Sequence, residues 1–133
     1  METNYSDMTD RFEKYEVDTA TFSHQHHVGV AFEMLKRHGF LSAAQKYSDI
    51  INTVATAAGA GQKFNTTITV AFLSIIDERM RQDDYDDACV FIEQNRDLLE
   101  QNPLVPLYSK KRITSDLARK TFLLPDLNPV QAA

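Results

Sequence analysis

Three of the chain's four histidines, His24, His26 and His27, fall together in the stretch FSHQHHVGVAFEML, Phe22 to Leu35. If a helix starts near Ser23, then His24, His27, Val28, Ala31 and Leu35 share one face. That face is apolar, so His24 and His27 are expected to point inward, while His26 projects to solvent or into the N-terminal residues. Imidazoles three residues apart lie roughly 5–6 Å apart at Cβ. At that spacing they can shuttle a proton, clamp an anion when protonated, or hold a metal. They can equally be boundary residues whose ring nitrogens are satisfied by the protein's own carbonyls and hydroxyls. A catalytic zinc needs three protein ligands, and neither H-E-x-x-H nor paired E-x-x-H occurs. His38 reads as a helix C-terminal residue before Gly39. A metal at His24 and His27 is therefore admitted but not favoured, and the cofactor is left unknown.

The elements that must position these residues are helical throughout. Residues 1–21 are charged and weakly periodic and read as a flexible N-terminal arm. Residues 22–133 read as a single helical domain. Its helices are expected from about Ser23 to His38, Ser42 to Ala58, Asn65 or Thr66 to Gln82, and Asp83 or Asp84 to Asn95. The second carries Tyr47, Ile50, Ile51, Val54 and Ala58 at helical period, and the third Ile68, Ala71, Phe72, Ile75, Ile76 and Met80. TTITVAF favours a strand by propensity, but the period continues unbroken into FLSIIDERMRQ. Pro103 and Pro106 leave a turn or short helix around Leu104–Tyr108, and Thr114 or Ser115 can cap a last short helix to Lys120. The end, FLLPDLNPVQAA, should lie extended, with Phe122, Leu123 and Leu127 on the body. The fold class is all-α, a compact bundle of four main helices plus a short C-terminal helix and an extended C-terminal wrap.

The 133 residues carry a net charge of −5, which argues against a nucleic-acid binder. No apolar run approaches the roughly 18 residues that cross a bilayer, so no membrane is expected. The polar, acidic METNYSDMTDRFEKYE is unlike a signal peptide. The single cysteine, Cys89, lies among apolar residues at helical period and reads as a packed thiol. These features point to the cytoplasm.

Four landmarks occur in order: Phe22-x-His24-x-x-His27, Lys63-Phe64-Asn65-x-Thr67, Tyr108-Ser109 followed by Lys110, Lys111 and Arg112, and Pro125-Asp126-Leu127-Asn128-Pro129. In this the chain resembles an uncharacterised family of small bacterial all-helical proteins over about residues 22–129. The resemblance implies a fold and a site rather than a reaction. Where that family has a third histidine, in a K-[YF]-H-x-T segment, this chain has Asn65. A neutral amide suits transition metals poorly, which favours hydrogen-bond recognition over metal binding. Asn65 can also serve simply as a helix N-cap, and Thr66 and Thr69 can line a pocket or bond the local backbone.

Two functional readings follow. In the first, a small-molecule-binding or enzyme-like protein has a His-lined pocket between the first and third helices. There His24 and His27 serve as catalytic or ligand-holding groups, and Asn65 and Thr69 orient the ligand. Tyr108 and Arg112 close the rim, with Arg112 suited to a carboxylate or phosphate on an acidic ligand. In the second, the chain is a non-catalytic interaction or accessory subunit, or a homo-oligomer. Leu98, Leu99, Leu104, Val105 and Leu107 then form an exposed apolar patch. Whether the chain is an enzyme is left undecided. A metal-dependent one is held back because Glu33, Asp77 and Glu78 do not converge with the histidines.

Overall fold

Helix α2 (His24–His38) is the centre of the bundle. Ser23 caps it, its Oγ accepting from the His26 amide at 3.2 Å, while the Ser23 amide donates back to His26 Nδ1 at 3.1 Å. This reciprocal pair satisfies two amide hydrogens that a helix start would otherwise leave unbonded. The sequence from Val28 to Phe32 is buried without interruption. A helix is buried all round only when others surround it, and α2 does contact four neighbours. The computed structural model describes residues 3–127. Among them eight helices and no strand make an all-α bundle with an extended C-terminal segment.

The first correction concerns the N-terminal arm. Residues 5–12 form α1 (Tyr5–Phe12), capped by Asn4, with Tyr5, Thr9 and Phe12 buried against α2. Their i, i+4, i+7 spacing is a helical stripe, diluted in the sequence by the charged residues on the opposite face. Gly29 permits the contact, because a Cβ there would lie 2.2 Å from the Tyr5 ring. Arg37 secures the other side, meeting Asp10 at 2.9 Å, Glu13 at 3.2 Å and the Ser6 carbonyl at 3.0 Å. His38 Nε2 pairs with Glu13 as well.

Gly39 alone separates α2 from α3 (Phe40–Ala57), with φ +78° and ψ 170°. That region is essentially restricted to glycine, so the reversal needs no longer loop and Ser42 is not the cap. A 3₁₀ turn (Gly61–Lys63) leads to α4 (Thr66–Gln82), where TTITVAF is helical. Helix α5 (Ala88–Gln94) begins later than Asp83, because Asp87 is the residue whose side chain accepts from a downstream amide, Val90 N. Tyr85 meanwhile turns back to stack edge-on against Phe91.

Three short helices follow: α6 (Asp97–Glu100), α7 (Lys110–Ile113) and α8 (Asp116–Lys120). Residues 103–108 form turns rather than a helix. The extended segment is tied down by its backbone, with the Leu123 amide donating to Thr67 Oγ1 and Leu127 N to Leu107 O. Leu123 is buried there, but Phe122 and Leu127 remain exposed, against expectation. An extended chain sends successive side chains to opposite sides, so Phe122 and Leu124 face away when Leu123 faces in. The rest of the expected wrap, from Asn128 and Pro129 onward, lies outside the described residues.

Most apolar side chains join one core around α2, and a smaller cluster forms from Ala71, Leu104 and Tyr108 with Ile75, Leu107 and Ile113. The expected surface patch is thus broken up. Leu98 belongs to the first core and Leu104 to the second, while Val105 is exposed. Among the described residues no helix is long and apolar enough to cross a membrane.

Candidate functional site

The two histidines of the leading turn have different partners. His24 is exposed, packs its ring 5.5 Å from that of Phe72, and holds the Leu98 carbonyl at 3.0 Å through Nε2. A carbonyl only accepts, so Nε2 carries the hydrogen and Nδ1 is the acceptor in the neutral ring. His27 is half-buried, edge-on to Phe22, with Nδ1 2.9 Å from the Tyr47 hydroxyl. Burial, followed by the neighbouring His24 and His26, lowers its pKa to about 4. Burial also raises the Tyr47 phenol above its ordinary value. This pair is a neutral hydrogen bond between α2 and α3. The expected inward convergence is therefore replaced by divergence, His24 toward α4 and α6 and His27 toward α3.

Beside His24 lies a half-open groove of about 980 Å³. Ile68 and Phe72 of α4 supply one wall, and Leu99 to Val105 another. Tyr108, Lys110 and Ile113, with Leu127 from the extended segment, supply the third. The sequence builds it for identifiable reasons. Ile68 and Phe72 are four apart and share a face of α4. Arg79 grips Asp97 through both guanidinium nitrogens, at 2.8 and 2.7 Å, and fixes the start of α6, from which the second wall descends. That contact also holds the Asp97 carboxyl below the usual range. The Asn102 side chain accepts from Leu104 N at 3.0 Å and turns the chain before Pro103 ends its freedom.

Of the residues singled out from sequence, His24 and Tyr108 line this groove and the other four do not. Tyr108 contributes its ring, since its hydroxyl donates to Leu123 O at 2.8 Å. Asn65 is the N-cap of α4, accepting from Ile68 N at 2.9 Å and donating to Ile113 O at 2.7 Å. Thr69 donates to the Asn65 carbonyl at 2.9 Å, a local bond back along its own helix. Arg112 donates through Nε to Leu124 O at 2.8 Å. These groups hold α4, α7 and the extended segment together, and the groove is the space they frame.

Lys110, Ile68 and Ile113 were not singled out as site residues, whereas Leu99, Leu104 and Val105 were expected as part of an apolar interaction patch and line the groove. The signal available was the breadth of the apolar stripe on α4, from Ile68 to Met80, wider than one helix neighbour covers. Among the described residues no three His, Cys, Asp or Glu side chains gather where they could hold a metal ion. Cys89 is half-buried on α5 and donates to Thr3 O at 3.4 Å. No protein-family model, no curated protein and no solved structure matches this chain.

Proposed function

We propose that this chain is a binding protein whose site is the groove between α2, α4 and the C-terminal segments. The observation that carries this reading is an apolar trough of about 980 Å³ beside His24. That volume is at the upper end of the roughly 300–1,000 Å³ of ligand sites. An occupant places an apolar body against Phe72, Leu104 and Ile113. It sets polar groups near His24, whose Nδ1 has no partner among the described residues, and near Lys110. His24 here is a ligand-holding residue. His27, with its proton equilibrium displaced far below neutrality, serves the fold. The single half-buried cysteine supports a reducing, cytoplasmic setting.

The test is binding of the neutral dye Nile red, followed by its emission. Ile68 is exposed and stands three residues after the cap of α4, where an acidic side chain suits the helix dipole. Ile68→Glu therefore places a charge in the groove without damaging the helix. It should weaken dye binding at least about tenfold. Leu41→Glu, on the exposed face of α3, should leave binding unchanged. Equal binding by the wild type and Ile68→Glu refutes the groove as the site.

A further inference from the structure

Most polar groups that line the groove are committed to the protein itself. The Tyr108 hydroxyl donates to Leu123 O at 2.8 Å, and Thr114 Oγ1 to Lys110 O at 2.7 Å. Ser109 Oγ donates to Asp126 Oδ2 at 2.6 Å and accepts from Arg112 N at 3.1 Å. Glu100 and Lys110 are the two full charges of the lining, and they are opposite in sign. Arg112, which suits an acid, gives its Nε hydrogen to Leu124 O instead.

His24 differs from these groups. Its ring is fixed at two points, by Nε2 donating to Leu98 O at 3.0 Å and by packing 5.5 Å from Phe72, itself part of the lining. Because Nε2 holds the hydrogen, Nδ1 of the neutral ring can only accept. It is an oriented acceptor with no partner among the described residues. Asn102, turned by its Oδ1 bond to Leu104 N, has the opposite function left, an N–H donor.

From this we infer that the ligand of the groove is an uncharged amphiphile, an apolar body ending in a hydroxyl or amide that donates to His24 Nδ1. The inference rests on the groove being the binding site and names the class of molecule it takes. An ionised carboxylate carries acceptors only, so it finds no partner at Nδ1. Glu100 opposes whatever attraction it feels from Lys110, and it must leave water to lie beside Phe72, Leu104 and Ile113. An ammonium can donate, but it bears the same dehydration cost with Lys110 opposing it. A hydroxyl or amide costs less to dehydrate and meets an acceptor already held in place.

The experiment measures displacement of Nile red from the whole chain by four molecules that share one tail: decan-1-ol, decyl methyl ether, decanoate and decylamine. Buffer of about pH 8 keeps imidazoles of ordinary pKa neutral. The alcohol should bind tightest, roughly two- to tenfold ahead of the ether, which has no donor. The two ions should trail the alcohol by at least as much. His24→Phe keeps a ring against Phe72 but no acceptor, and should erase the alcohol's lead while leaving the ether's affinity unchanged. His24→Gln can supply both a donor for Leu98 O and an acceptor for the ligand, and should keep the lead. Tighter binding of decanoate or decylamine than of the alcohol overturns the inference. So does a lead that persists in His24→Phe or vanishes in His24→Gln. Loss of ether binding in His24→Phe overturns it as well, since His24 is then a prop for the wall rather than the ligand's partner. If none of the four displaces the dye while Nile red still discriminates Ile68→Glu, the ligand class is rejected and the groove stands. If the dye also fails to discriminate, the groove itself is rejected.

Discussion

His27 is neutral in the fold because Phe22 and Tyr47 take the place of water around its ring. Its folded pKa of about 4 lies below the ordinary histidine value of 6.5. Between these two values the unfolded chain binds the extra proton, so stability falls as pH drops from about 6.5 toward 4 and is insensitive to this group above and below. At 1.36 kcal/mol per unit, the loss has an upper bound of about 3 kcal/mol. His27→Gln keeps a hydrogen-bonding group toward Tyr47 but cannot titrate. Urea unfolding across this window should show a smaller pH slope for the variant than for the wild type, and equal slopes would assign the acid sensitivity elsewhere. At this scale the sequence was partly legible. It showed that Ser23 caps a helix and that two imidazoles follow one turn apart. It could not show that their partners, Leu98 and Tyr47, approach from different elements, since contacts across 74 and 20 residues leave no trace in local spacing. Asn65 illustrates the same ambiguity, because cap and pocket residue call for the same side chain.

Helix α1 depends on one missing methyl group. The Tyr5 ring, 4% exposed, occupies the space that a side chain at position 29 would need. Gly29→Ala should favour α2 by up to about 1 kcal/mol through helix propensity. The same substitution costs about 1–3 kcal/mol through overpacking against the ring. Which effect wins depends on Tyr5. In the wild type the substitution should destabilise, whereas in a Tyr5→Ala background it should stabilise, and denaturant unfolding of the four proteins reads this change of sign. The same sign in both backgrounds would mean that the ring can move aside freely. The long elements α2, α3 and α4 were legible because each repeats its apolar residues over four or more turns. The short α1, α6 and α7 were not, because little more than two turns at most provides too little period to distinguish from loop. Their existence rests on caps and tertiary contacts, such as Ser109 accepting from Arg112 N.

The molecule has two cores of unequal size, and the groove lies against the smaller. Helix α2 packs against α1, α3, α4 and α5, whereas residues 105–127 bury only Tyr108, Ala118 and Leu123 and are otherwise held by hydrogen bonds from the Asn65, Thr66, Thr67 and Arg112 side chains. Thr67 is fully buried and both donates to Thr121 O at 2.7 Å and accepts from Leu123 N at 3.0 Å. Few buried apolar contacts and many hydrogen bonds near solvent mark a unit that opens before the whole. Native-state hydrogen exchange should therefore show two tiers, the amides of Leu123 and Leu127 exchanging through a lower-energy opening than those of Phe32 and Met34. Thr67→Val removes one acceptor and one donor from the seam, and should lower the first tier by about 2–3 kcal/mol while moving the second by less. A single tier, with all these amides exchanging through global unfolding, would show that the C-terminal segments belong to the main cooperative unit. Anything that binds the closed groove more tightly than the opened one must raise the lower tier in proportion to its occupancy. The weaker core is thus where a ligand has most influence on the fold, and protection at Leu123 gives a measure of occupancy that needs no assumption about catalysis.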